Sequence, residues 1–116
     1  MNDCCCTNQL APIYKGDDVT ITLVIIEQNG SKMNFNGKTI KFILKKNKNE
    51  QDSQAVILKI YTPTEDMTQL CIHLTKEDTD ITQGIYWYGI RVISGDYQST
   101  EGEGKVEIRQ GPFYGQ

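Results

Sequence analysis

The chain has 116 residues, the size of one domain, with 38% hydrophobic and 23% charged residues; that balance supports a packed core and excludes wholesale disorder. Its formal net charge of -3 at pH 7 lacks the basic excess of proteins that bind nucleic acid or anionic membranes. No apolar run approaches the roughly 20 residues that span a bilayer. The opening Met1-Asn2-Asp3-Cys4-Cys5-Cys6 has neither the basic nor the apolar region of an export signal, so synthesis and folding in a cytoplasm are expected.

Residues 1–10 are polar and without pattern, and read as an N-terminal arm. Such an arm is mobile unless a neighbouring subunit or the chain's own sheet holds it. Cys4, Cys5 and Cys6 are adjacent and Cys71 is remote, so the CxxC pairs of a zinc site do not arise. Reduced thiols are expected, with an intermolecular disulfide or adventitious metal binding as the alternatives.

Tyr14-Lys15-Gly16-Asp17-Asp18 makes a turn into Val19–Ile26, where Val19, Ile21, Leu23 and Ile25 share a face. Period two with β-branched residues is a strand pattern. Asn29-Gly30 predicts a hairpin into a short strand Lys32–Phe35, and Asn36-Gly37 a second turn. In the next strand, Lys38–Lys45, Ile40, Phe42 and Leu44 alternate with an outward Lys41. Residues 45–54 are the most polar stretch and read as a long, solvated loop without core residues. Ala55–Tyr61, Gln69–Leu74 and Gly84–Ile93 follow as strands, with Pro63 punctuating the first connection. Thr75 and Asp78 have capping-box spacing and predict one helical turn. Ser94-Gly95-Asp96 turns into a last strand from Tyr97 to about Arg109, with Gly102 and Gly104 marking a bulge or close backbone contact. Seven strand candidates, turn signals every 8–12 residues and no helical period describe an all-β sandwich at residues 11–110. Residues 111–116 form a C-terminal tail.

Catalytic chemistry finds little footing. His73 is the only imidazole, and it alternates with Ile72 and Leu74, so it faces solvent. Gly102-Glu103-Gly104-Lys105 lacks the spacing and strand-to-helix setting of a phosphate loop. Glu77, Asp78 and Asp80 lack the dense alternating ligands of a calcium loop. No catalytic, cofactor or metal site is expected, and the chain reads as a binding or structural module rather than an enzyme.

Within Gly84–Val92, Tyr86, Tyr88, Ile90 and Val92 form one face and Ile85, Trp87, Gly89 and Arg91 the other. The run Asp80-Ile81-Thr82-Gln83-Gly84-Ile85-Tyr86-Trp87-Tyr88 resembles the approach to strand F of immunoglobulin-like domains. The resemblance makes Tyr86 the corner tyrosine, whose hydroxyl bonds back to the upstream backbone. Tyr88 then stands where antibody domains carry their second disulfide cysteine, so an Ig-like antiparallel β-sandwich of about seven strands without an inter-sheet disulfide is expected. Gly84, Tyr86 and Tyr88 are its structural residues.

A second resemblance runs through Tyr14-Lys15-Gly16-Asp17-Asp18, Thr20-Ile21-Thr22-Leu23, Asn36–Phe42, Leu74-Thr75, Gly84–Tyr88, Thr100-Glu101-Gly102 and Val106-Glu107-Ile108. In this order the segments resemble the small Ig-like domains of tailed-phage virion proteins, found on capsid surfaces and in tails or baseplates. The resemblance implies adhesion and mechanical cohesion in a virion assembled in the bacterial cytoplasm. The leading expectation is an auxiliary, or decoration, protein bound to the major capsid protein; the rivals are a tail or baseplate adaptor and a carbohydrate- or host-surface-binding module. Candidate partner-binding residues are Cys4, Cys5, Cys6, Leu10, Trp87, Phe113 and Tyr114, with aromatics favoured as interface anchors. Neither nucleic acid nor membrane is an expected partner.

Overall fold

Alternation of apolar and polar residues, which places successive side chains on opposite sheet faces, is realised along most of the chain. The computed structural model describes residues 2–3 and 10–112. In chain order the strands are β1 (Asn2–Asp3), β2 (Ile13–Tyr14), β3 (Val19–Leu23), β4 (Ile25–Ile26), β5 (Thr39–Lys45), β6 (Ile57–Tyr61), β7 (Leu70–Leu74), β8 (Gly84–Ser94) and β9 (Tyr97–Arg109). A five-stranded sheet runs β2-β9-β8-β5-β6, β3 pairs with β7, and β1 with β4. All pairings are antiparallel except β2 with β9, which is parallel. A β9-β8-β5 sheet extended by β6 and opposed by a β3–β7 pair is the layout of an immunoglobulin-like sandwich, and among the described residues no disulfide staples it.

The core lies between the sheets. Tyr86, Tyr88, Ile90 and Val92 of β8, Ile40, Phe42 and Leu44 of β5, and Val106 and Ile108 of β9 are buried from one side. Leu23, Ile25, Leu70, Ile72 and Leu74 are buried from the other. Where antibody domains pack a tryptophan against a disulfide, Phe42 and Tyr88 stack here, with ring centroids 6.5 Å apart and planes inclined by 21°. Gly104 and Gly102 lie directly across from Tyr88 and Ile90, leaving room beside the tyrosine ring. The ladder shifts register between Ile90 and Arg91, whose partners are Gly102 and Thr100, so Glu101 is the extra residue of a bulge.

The Tyr86 hydroxyl donates to the Thr82 carbonyl at 2.5 Å. This bond fixes the chain's entry into β8, and burial raises the phenol's pKa, keeping the donor protonated.

A polar node joins two turns at one end of the sandwich. The hydroxyl of Thr79, fully buried, donates to the Asp17 carbonyl at 2.7 Å and accepts from the Gly16 amide at 3.1 Å. Thr75 and Asp78 bond reciprocally, amide to side chain, at 2.8 and 3.2 Å, and the Thr79 amide donates to the Thr75 carbonyl at 3.1 Å. The capping-box spacing thus produces the single turn it predicts.

Two expectations need correction. Lys32–Phe35 is no strand: only Lys32 forms a bridge, to Ile26. The Asn34 side chain takes the Asn36 and Met67 amides at 3.0 and 3.2 Å, drawing the backbone out of a ladder and turning Phe35 wholly into the core. Residues 45–54 are not a plain solvated loop. Lys45 ends β5 at 9% exposure, and a 3-10 turn at Asp52–Gln54 carries a capping box with Gln51. Of the two holders open to the N-terminal arm, the chain's own sheet is the one observed at Asn2–Asp3, which pairs with Ile26 and Ile25.

Tyr86→Phe is expected to remove about 1 kcal/mol of stability, read in denaturant as a lower midpoint with an unchanged slope. Tyr88→Ala, which empties the centre of the core, should cost about 3–5 kcal/mol.

Candidate functional site

The outward face of the five-stranded sheet gathers the side chains with the most chemical potential. Trp87 projects from β8 on the face opposite the core and is half-buried. The ammonium of Lys105, directly across on β9, lies 5.1 Å from its ring centroid, and that of Lys48, from the 46–54 loop, also 5.1 Å. Both are within cation–π range. Gly89, two residues along β8, has no side chain to fill the face. Its neighbour across the ladder is Ile43, and the result is a depression of about 220 Å³ floored by Ile43 and Gly89 and walled by Trp87.

The rim is charged. Lys41, Lys45, Lys48 and Arg91 line it with Asp52, Glu103 and Thr100. Asp52 is clamped by Lys45 at 2.8 Å and Lys41 at 3.1 Å, and Lys45 also donates to the Glu50 carbonyl at 2.6 Å. Those two lysines, Lys45 first, hold the Asp52 carboxyl down at about 2. They therefore spend their charge internally. Lys48, Lys105 and Arg91 have no carboxylate within ion-pair distance among the described residues.

Other candidates are dispersed. Leu10 is partly buried against the core, and its amide donates to the Lys105 carbonyl at 3.3 Å. Cys4, Cys5, Cys6, Phe113 and Tyr114 lie outside the described residues. Cys71 and His73 point outward from β7, and His73 Nδ1 shares a hydrogen bond with Thr20 Oγ1 at 3.3 Å. Two of the acidic residues near the β7–β8 turn are engaged: Asp80 with Lys15 at 3.5 Å, and Asp78 with Lys59 at 2.8 Å. Desolvation raises the Asp78 pKa, but the Lys59 and Thr75 hydrogen bonds together outweigh it and leave the pKa lowered.

Two further surfaces stand out. Val56, Leu58 and Ile60, 43–56% exposed, line the outer side of the β6 edge. At the end of the sandwich near β4, an open groove of about 600 Å³ is bordered by Ile25, Ile26, Met33, Glu27, Glu101 and the exposed Tyr97. The pairing of β1 with β4 takes place beside it.

No family model matches the chain, and no curated protein sequence does. Solved structures do. The soluble domain of PmoD from Methylocystis sp. ATCC 49242 (Rockwell) superposes with a TM-score of 0.53 at 7% identity, over 88% of this chain and 78% of that one. The periplasmic chaperone SfaE gives 0.49 at 8% identity, over 93% of this chain and 56% of that one. At such identities the PmoD likeness speaks to the fold alone.

The Asp52 clamp has a pH signature. Its folded pKa of about 2 lies below the ordinary 3.8, so its contribution is complete above about pH 4 and is lost as pH falls towards about 2. Asp52→Asn should flatten that part of the acid limb in pH-dependent urea melts. A limb identical to wild type would show that the clamp contributes nothing to stability.

Proposed function

We propose that this chain is a non-enzymatic structural protein of a tailed-phage virion, an auxiliary protein seated on the capsid surface and reinforcing it. The reading rests on the ordered resemblance to virion Ig-like domains, whose quoted segments fall on the turns and strands that build this sandwich. The observation that carries it is the pairing of Asn2–Asp3 with β4. Backbone hydrogen bonds hold that segment, and such bonds are blind to sequence. A segment that adds to its own sheet can add equally to the same edge of a neighbouring copy or of a capsid protein. Many such modest contacts, repeated over a lattice, sum to a strong attachment.

Tagged chain supplied during phage growth should sediment with tailless heads, and removal of residues 1–10 should abolish that association. Recovery with tails alone would favour a tail or baseplate adaptor. Absence from every particle fraction, or full retention of the truncated chain, overturns the capsid model.

A further inference from the structure

The depression beside Trp87 is built unlike the rest of this acidic chain. Its floor, Ile43 and Gly89, is apolar, and Trp87 forms one wall. Besides the two lysines that clamp Asp52, its rim carries the cations Lys48 and Arg91, in a protein whose net charge is -3. Its rim also carries the carboxylates of Asp52 and Glu103 and the hydroxyl of Thr100. At about 220 Å³ it is smaller than the roughly 300–1,000 Å³ that drug-sized ligands occupy. It has room for one ring.

Each part narrows the ligand. The cations ask for a negative group. The rim carboxylates repel a bare anion but accept hydrogen bonds from several hydroxyls. The apolar floor and the indole suit the C–H face of a ring rather than a compact, fully hydrated ion. Lys48 stands on an exposed loop, so it can leave the indole and turn to an incoming acid group, while Arg91 is carried by β8.

From this complementarity we infer that the Trp87 depression is a binding site for one residue of an acidic saccharide, a sugar ring bearing a carboxylate. The ring lies over Ile43 and Gly89 against Trp87, its hydroxyls donate to Asp52 and Glu103, and its carboxylate meets Lys48 and Arg91. The inference does not rest on the capsid reading, since the site belongs to the isolated domain; failure of particle association leaves it intact, and the reverse holds.

Trp87 is the only tryptophan in the chain, so its fluorescence reports directly on the site. Titration of the full chain with oligogalacturonate should change the emission saturably, and added salt should weaken the response. A neutral galacto-oligosaccharide should bind at least about tenfold more weakly, as should the Lys48→Gln/Arg91→Gln variant with oligogalacturonate. A β-carbon at position 89 would sit 3.6 Å from Ile43 Cγ1, an ordinary contact. Gly89→Val should therefore fill the depression and remove binding while circular dichroism remains native; should that variant not fold, the Lys48→Gln/Arg91→Gln variant decides. No response to oligogalacturonate, equal affinity for the neutral sugar, equal affinity for inorganic phosphate, or unchanged affinity in the Lys48→Gln/Arg91→Gln variant would each overturn the assignment.

Discussion

β8 is hydrogen-bonded along most of its length to β5 on one side and β9 on the other, so its register is shared by three strands. Side chains alternate with a period of two, and a slip of one residue would exchange the two faces. Trp87 and Arg91 would enter the core, and Tyr86, Tyr88, Ile90 and Val92 would meet water. The Tyr86–Thr82 bond acts at the point where this choice is made, the first turn of chain entering the strand. A bulge at Glu101 then absorbs the mismatch farther along β9, where the pairing resumes in a shifted register. With β8 placed in this way, the tyrosine ring at 88 takes over the central volume that a disulfide and tryptophan fill in antibody domains.

The same register produces the outward depression. A strand that sends Tyr88 and Ile90 inward must send Trp87, Gly89 and Arg91 outward, so core and candidate site are the two faces of one strand. Lys45 shows how closely they are joined. It terminates a strand whose other side buries Leu44, and its ammonium is held under the 46–54 loop by Glu50 and Asp52. The loop is thereby folded over the sheet, and this brings Lys48 to the indole.

The strands were legible because period-two alternation is local. The sequence pattern predicts a last strand from Tyr97 to about Arg109, and the strand observed is Tyr97–Arg109; the two faces that alternation predicts for Gly84–Val92 are those observed. What escaped depends on distant partners. Phe35 looks like a residue of a short strand until Met67 receives its amide. Lys45 looks solvated until Asp52 returns to meet it, and nothing near Thr79 announces that its hydroxyl will accept from Gly16 and donate to Asp17. At the site, Trp87 could be nominated from its face alone. Lys48 and Lys105 could not, since one arrives on a loop and the other through a hairpin pairing that passes a bulge.

The parallel pairing of β2 with β9 has a mechanical consequence. Ile13 lies beside Ile108 and Tyr14 beside Arg109, and the Lys15 amide extends the ladder to the Arg109 carbonyl at 2.8 Å. Tension applied before β2 and after β9 would draw these parallel strands along each other lengthwise. Their hydrogen bonds would then bear the load together, whereas strands peeled apart from one end break their bonds singly. The domain therefore resists being stretched along its chain axis through a patch only a few residues long, and its force threshold resides in that patch rather than in the larger core.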